Sequence, residues 1–588
     1  MNSLNPFRIV AVVAWPLTRW LGLRSLRPET DPPTNPEVGQ WEPSAGLLGP
    51  SPHVAPLGPD SQDRVTSLDP AALSQKMSFA IACDAYQEIA RSIGQRHAET
   101  GAVLGGSRAL GLITHVHLDQ RAEVSGVTYS PHIATVNRLL REEWDPNGID
   151  FMGFVHSHPG GYGRPSTGDQ IYAERILRAL PRLDRMAMPI VQTVPDTGQF
   201  RMNGYMAVRV GSPARERMCN HRPSEDSRSV RVLEAPLAII DPARPYGGAK
   251  ANPYLARVAT AYDREVMATA RIVAIGVGGS VGYLETMARA GAGQFVLIDP
   301  DVIEPANVGT QAVDPEDIGR PKVEALAAKL TRLNPNCHVW TVQARDEAVD
   351  DIGFHRLLRE PLTGGPNVLP AMTLLCAFTD SFRAQDRIQR LGLHFGAPVL
   401  AAAVYAEGRG TEIAFAATGL TRACIRCALS SRYAAVLGGG ASGEAASDGT
   451  PMLATDRLNA AKQIVTLGLL HALSPVANPD HPATARYRGW MARIKDRNLD
   501  LTRLDPDLDL PSFRLLRGVG EGRCVMDETV WTEPTPDGPD APAGPCPDCG
   551  GSGDLADGIG TFADTRTMPA HFGAGRRAPV VAPVATTV

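Results

Sequence analysis

The hydrophobic pattern divides the chain into two periodic regions, flanked and separated by stretches without a period. Residues 28–72 are rich in Pro, Gly and acids and repeat no apolar spacing, so 1–76 reads as a disordered N-terminal extension. At Met77 the run MSFAIACDAYQEIARSIGQRHAETGAVLGG opens on a helical spacing that hands over to a short apolar strand. Residues 150–158 predict a buried strand, and QIYAERILRAL beyond it a helix. A first unit over 77–212 follows, then a Pro-rich connector over 213–250. The second unit, 251–553, opens on a strand (RIVAIG), a helix (VGYLETMARAG) and another strand (QFVLID), the alternation of an α/β sheet. Within it 475–540 reads as an insertion, and 554–588 as a disordered tail.

Composition changes this picture little. The 588 residues carry 58 basic and 63 acidic side chains, a net charge of −5, which gives no global basic excess for nucleic-acid binding. Apolar residues at 43% suffice for real cores. A chain of this length predicts about three to five domains, fewer where tails are disordered. The apolar run Ile9–Leu17, between Arg8 and Arg19, is well short of the ~20 residues of a membrane span and lacks a clear cleavage site. Nine cysteines are too few for a secreted disulfide scaffold, and four of them form two Cys-x-x-Cys pairs. A reducing, cytoplasmic setting is expected.

The richest stretch is IDFMGFVHSHPGGYGRPSTGDQ. On a strand, His156 and His158 share a face. Asp169 can supply a third ligand, and two His with one carboxylate leave a fourth position open, as in catalytic zinc sites. Glu99, just before an apolar strand, is the candidate base for an activated water, and Ser166 a donor to a developing oxyanion. The same Ser166-x-x-Asp169 spacing also fits a helix capping box. Taken together, the upstream Glu, the His-x-His and the spaced Ser and Asp closely resemble the JAB/MPN (JAMM) metalloprotease family. That resemblance covers about 77–210 and implies a zinc peptidase or isopeptidase acting at ubiquitin-like C-termini. By it Glu99 is the general base, His156, His158 and Asp169 are zinc ligands, and Ser166 assists.

In the second unit GVGGSVG joins strand to helix, where glycines let phosphate approach backbone N–H groups. The next strand ends in Asp299, placed to hold ribose hydroxyls. The run that follows, DPDVIEPANVGTQAVDPEDIGRPKVEALAAKLTRLNPNC, resembles the ThiF/MoeB-type, ubiquitin-activating superfamily. The matching positions are Asp299, Asp301, Glu304, Asn307, Lys322, Asn334 and Pro335. The resemblance implies a Rossmann-like domain that adenylates C-terminal carboxylates with ATP and magnesium. Gly276, Gly278, Gly279, Asp299, Asn307 and Lys322 would hold the nucleotide and Asp380 the magnesium. The chain departs from the pattern at Gly282, at Thr310-Gln311 where an Arg-Gln pair is usual, and at Ser381. Arg257 aligns poorly with the family's N-terminal arginine.

Cys424-x-x-Cys427 and Cys546-x-x-Cys549 supply four thiolates that suit tetrahedral zinc, and the resemblance to the ThiF/MoeB-type superfamily implies that the two pairs form one closed site split by a long insertion. The segment after Cys427 has no cysteine where thioester-forming relatives carry one, so an acyl-adenylate that passes directly to an outside nucleophile is expected, with Cys524 as the one plausible substitute. Cys83 and Cys219 fall in the first unit or its connector, and Cys337 and Cys376 in or beside core strands. The expected fold is α/β, a JAB/MPN domain followed by a ThiF domain with a split four-cysteine zinc site. The expected function is bifunctional, both processing and activating the C-terminus of a separate ubiquitin-like or sulfur-carrier protein. Two other readings stay open: a degenerate ThiF scaffold that recruits the modifier to the peptidase, and sulfur activation for biosynthesis. Homodimerisation is expected from the superfamily alone.

Overall fold

The computed structural model describes residues 64–210, 229–437, 452–494, 498–503 and 528–531. Short gaps fall at 97–98, 126–127, 160–161, 181–182, 195–198 and 406–407, and Cys546, Asp548, Cys549, Gly553, Leu555 and Thr565 complete the set. The run Ile9–Leu17, Cys219 and Cys524 lie outside the described residues. No described helix is long and apolar enough to cross a membrane.

In chain order the strands are β1 (Val65–Ser67), β2 (Phe79–Ala82), β3 (Gly101–Ser107), β4 (Leu112–Leu118), β5 (Glu123–Ser125), β6 (Thr128–Ser130), β7 (Asp150–His158), β8 (Arg185–Ala187), β9 (Ile190–Val194), β10 (Gln199–Asn203), β11 (Tyr205–Val210), β12 (Ser229–Glu234) and β13 (Leu237–Ile240). They continue as β14 (Ala270–Ile275), β15 (Gln294–Ile298), β16 (His338–Val342), β17 (Met372–Ala377), β18 (Val399–Tyr405), β19 (Gly410–Ala416), β20 (Leu499–Arg503) and β21 (Glu528–Trp531).

The first sheet runs β12-β11-β8-β7-β3-β4-β2-β13, with β9 and β10 attached beside β7. β3 and β7 sit in the middle and are almost wholly buried, so both read as continuous apolar runs. The helix Cys83–Ser92 covers one face through Ala85 and Ile89, and the helix Thr167–Ala179 the other through Ala173 and Leu177.

The second sheet runs β1-β16-β15-β14-β17-β18-β19-β20-β21. Pairing is parallel from β1 to β18 and antiparallel from β18 onward. β14, an inner strand, is buried at every position. Helices Val281–Arg289, Lys322–Leu333 and Met452–Leu473 pack on one face, and Asp351–Arg359 and Phe382–Phe395 on the other. The strand order reverses between β14 and β17, which opens a crevice at their carboxyl ends.

Four expected boundaries move. β1, at 65–67, lies inside the stretch expected to be a disordered extension, yet it forms the edge of the second sheet beside β16. The connector 213–250 contains β12 and β13, which form the two edges of the first sheet through β11 and β2. Inside the expected insertion, the helix Pro482–Ile494 packs on Met452–Leu473, and β20 and β21 lengthen the second sheet. In the expected tail, Leu555 is buried in the second core and Thr565 bonds Asp351 through both its backbone N–H and its hydroxyl.

The first unit is therefore nested within the second, between β1 and β14. The junction is polar and buried. Glu360 accepts the Ser78 N–H at 2.5 Å and contacts His355 at 3.1 Å, while the Ser78 hydroxyl donates to the Pro361 carbonyl at 3.0 Å. Ile352, from the second unit, is buried in the core of the first.

Candidate functional sites

The first site is built on register. β3 and β7 pair antiparallel with Gly101 opposite His156, so the residue before β3 arrives beside the histidines. Ser157 N–H donates to the Thr100 carbonyl at 2.8 Å, and Thr100 N–H to Ser157 Oγ at 2.9 Å, which locks that approach and leaves Glu99 buried. The alternation of β7 turns both imidazoles to one side, where their Nε2 atoms lie 2.9 Å apart. Asp169 Oδ1 lies 3.2 Å from His156 Nε2, and Oδ2 3.3 Å from His158 Nε2. Zn–N and Zn–O bonds of ~2.0–2.1 Å place tetrahedral ligand atoms about 3.3–3.4 Å apart, so this donor set fits one zinc ion. Tyr129 stacks on His156 at 5.8 Å and Tyr162 on His158 at 5.4 Å, which restrains both rings.

Ser166 caps the helix Thr167–Ala179. Its Oγ accepts the Asp169 N–H at 3.2 Å while Asp169 Oδ2 accepts the Ser166 N–H at 2.7 Å. The capping box and the convergence on the histidines coexist, because the cap fixes the carboxylate that the imidazoles meet. The Ser166 hydroxyl proton is not consumed by that cap, so it stays available to donate.

Glu99, Ser166, both histidines and Asp169 line one pocket of about 520 Å³, walled by Tyr129, Phe154, Tyr172, Met186 and Met188. Burial pushes the Glu99 carboxyl up, with the two imidazoles opposing. Burial also opposes ionisation of Asp169, but hydrogen bonding to His156 and His158 prevails and holds it well below the usual carboxylate range.

The second site gathers four thiols. Cys424 Sγ lies 3.7 Å from Cys546 Sγ, and Cys427 Sγ 3.6 Å from Cys549 Sγ. Zn–S bonds of ~2.3 Å set tetrahedral sulfurs about 3.8 Å apart. Cys427 N–H donates to Cys424 Sγ at 3.4 Å, and all four side chains are buried in the second core. Burial, then the neighbouring thiols, raises Cys424 well above the ordinary thiol range. Four buried thiols can ionise together only around a cation, and the donor set fits a closed zinc site.

The nucleotide crevice has more of its groups already engaged. Gly276 takes φ +79°, and a Cβ there would stand 2.6 Å from the Phe378 carbonyl oxygen, so only glycine fits. Gly278 lies against the Gln311 carboxamide, 2.7 Å from where its Cβ would be. Gly279 is open to ordinary contact with Thr455. Asp299 is buried at the end of β15, and its oxygens accept the N–H groups of Val277 at 2.9 Å and Asp301 at 3.0 Å. It therefore braces the glycine loop, beyond the ribose role expected from its position. Asn307 Oδ1 accepts the Glu304 N–H at 2.9 Å in a second capping box. Lys322 pairs with Asp301 at 3.0 Å. Asp380 is exposed just past β17, beside the crevice. The space between Gln311, Gly278 and Lys322 is only about 10 Å³.

One crevice residue escaped the sequence reading. Lys462, on the helix Met452–Leu473, is buried and donates to Ser280 Oγ and to Asn459 Oδ1, both at 3.0 Å. Asn459 Nδ2 in turn donates to the Gly279 carbonyl at 3.2 Å. Nothing in the local pattern LNAAKQIV separates such a lysine from one on a solvated face.

Comparison with known proteins bears on the second unit. Residues 253–457 match the sequence profile of the ThiF family. The SAMP-activating enzyme E1 of Haloferax volcanii is 31% identical over 148 residues, 25% of this chain and 50% of that protein. The ubiquitin-like modifier-activating enzyme 5 of Culex quinquefasciatus is 30% identical over 144 residues, 23% of this chain and 36% of its own length. The chain thus spans half or less of these relatives. Among solved structures, E. coli MccB with ATP aligns at 15% identity and a TM-score of 0.30, over 42% of this chain and 64% of that one.

Proposed function

We propose, with a ThiF-type, E1-like unit at residues 253–457 as the premise, that the chain both trims and activates the C-terminus of a separate ubiquitin-like or sulfur-carrier protein. The observation that carries the reading is the convergence of His156, His158 and Asp169 beside Glu99 in one pocket, in the same chain as that unit. Zinc held there would supply Lewis-acid activation of water at neutral pH. Glu99 takes the proton of the attacking water and delivers it to the leaving amine. Ser166 donates to the oxygen on which charge develops. The products are a free carboxylate on the carrier and an amine.

In the second unit the carrier's carboxylate attacks the α-phosphorus of ATP, forming an acyl-adenylate and releasing pyrophosphate. Asp299 holds the glycine loop that meets the phosphates, Lys322 and Asn307 lie along the same edge, and Asp380 would hold magnesium. The split cysteine cluster would hold a structural zinc. The names of the two relatives, a SAMP-activating and a ubiquitin-like modifier-activating enzyme, support this class of substrate.

Among the described residues, no cysteine of the second unit outside the four-thiol cluster is suited to a thioester. Burial pushes Cys337 and Cys376 up to about 12, far from a thiolate at neutral pH. The adenylate then passes to an outside nucleophile, such as a partner's thiol or sulfide.

The test is ATP–pyrophosphate exchange with a candidate carrier, followed by a non-reducing gel. Exchange that needs the carrier, without a thiol-sensitive enzyme–carrier band, is expected. A band abolished by Cys524→Ala would instead make Cys524 the nucleophile. Carrier binding without any exchange would favour the recruiting-scaffold reading.

A further inference from the structure

The crevice between β14 and β17 is where an open parallel sheet receives its ligand, and a side chain from outside the glycine-loop motif is buried against the residues that follow both strands. Ser280 follows the glycines after β14, and Phe378 follows β17. Lys462 reaches both. Its Nζ is 3.0 Å from Ser280 Oγ and 4.2 Å from the centre of the Phe378 ring. The side chain comes from the helix Met452–Leu473, almost two hundred residues further along the chain.

Its partners are all neutral. Two of the three ammonium protons have acceptors in Ser280 Oγ and Asn459 Oδ1, and the aromatic face adds a cation–π contact. Among the described residues no carboxylate pairs with it, although the residue is only 3% exposed. Lys322, the other lysine of the crevice, already has Asp301. A buried ammonium with no counter-ion is costly and is strongly stabilised when an anion arrives. Burial accordingly pushes Lys462 down to about 7.

We propose that Lys462 is a phosphate-binding lysine of the nucleotide crevice, and that the nucleotide's phosphate chain is the counter-ion it lacks. The proposal rests on the adenylation reading. It also makes the helix Met452–Leu473 part of the nucleotide site, since Lys462 and Asn459 bring that helix onto Gly279 and Ser280. Nucleotide binding should then tighten the docking of this helix.

The experiment uses the full chain and measures two things, thermal stability without nucleotide and ATP affinity by calorimetry with magnesium present. Lys462→Met removes the charge and keeps most of the volume. It should melt no lower than wild type without nucleotide, yet bind ATP at least ~10-fold more weakly and lose the ATP-induced rise in melting temperature. Lys462→Arg keeps the charge and should stay within a few-fold of wild-type affinity. A Met variant that melts lower but binds ATP as tightly as wild type would make Lys462 a structural residue and overturn the proposal. If the Met variant does not fold, Lys462→Gln and Lys462→Arg decide by affinity, and equal binding by both also overturns it. Wild-type protein that binds no ATP would sink the adenylation reading and this proposal together, whereas wild-type binding with an unaffected Met variant sinks this proposal alone.

Discussion

Glu99→Gln should leave the zinc content at its wild-type value and slow hydrolysis at least ~100-fold, the scale of a lost general base. The substitution is nearly isosteric. The paired bonds between Thr100 and Ser157 hold the backbone in place, so the amide should occupy the position of the buried carboxylate. The elevated proton affinity that burial gives Glu99 favours its role as a base, and Gln has none to offer. His156→Ala is the contrasting variant. It removes a ligand, so one zinc ion per chain and the hydrolytic activity should be lost together while the fold persists, because β7 is held by its neighbours β3, β8 and β9. The measurement is elemental analysis alongside cleavage of a carrier protein extended beyond its terminal glycine. A Gln variant with full zinc and a wild-type rate would remove Glu99 from the mechanism.

Cys424→Ser should lower the zinc count by one per chain and destabilise the second unit. Structural zinc contributes an apparent ~10–16 kcal/mol in zinc-finger peptides, comparable to the whole net stability of a typical domain, about 5–15 kcal/mol. The thiols join two segments 122 residues apart and sit inside the second core beside Ile425, Leu429 and Leu555. Gln389 also reaches into this junction, donating to Asp548 at 2.5 Å between the second pair of cysteines. Losing the cation should therefore free Cys546, Asp548 and Cys549 from the second core first. Limited proteolysis should cut there before elsewhere, and the melting temperature should fall sharply. A variant that keeps two zinc ions, or loses one with no change in melting, would contradict a structural role for this cluster.

The sequence made some of this architecture legible. The strand at 150–158 and its paired histidines could be read because alternation on a buried strand admits one geometry. Ser166 and Asp169 presented two readings, and the structure realises both in one arrangement. β14, the helix after it and β15 were visible because long apolar runs punctuated by glycine leave few alternatives.

What stayed hidden was set by distant partners. β1 has three residues and exists through its pairing with β16, supported by Arg64, whose guanidinium donates to the carbonyls of Thr331 and Asn334. β12 and β13 alternate well enough on their own, but the Pro-rich sequence around them masks the signal. Lys462 is unremarked in a helical pattern because its burial comes from docking onto the glycine loop, which no local window contains.

The nesting of one unit inside the other has a mechanical consequence. A domain strung on a single linker can swivel, and could carry a bound peptide from one pocket to the next. This one is fastened twice, by the chain entering after β1 and by the chain leaving towards β14, and Glu360 pins Ser78 near the entry point. The two pockets are then fixtures on one frame. Under the proposed function, a carrier tail freed at the histidine pocket would have to travel by its own reach, at most ~3.3–3.6 Å per extended residue, or let go and rebind. The transfer distance would then be a property of the carrier rather than of any motion between the pockets.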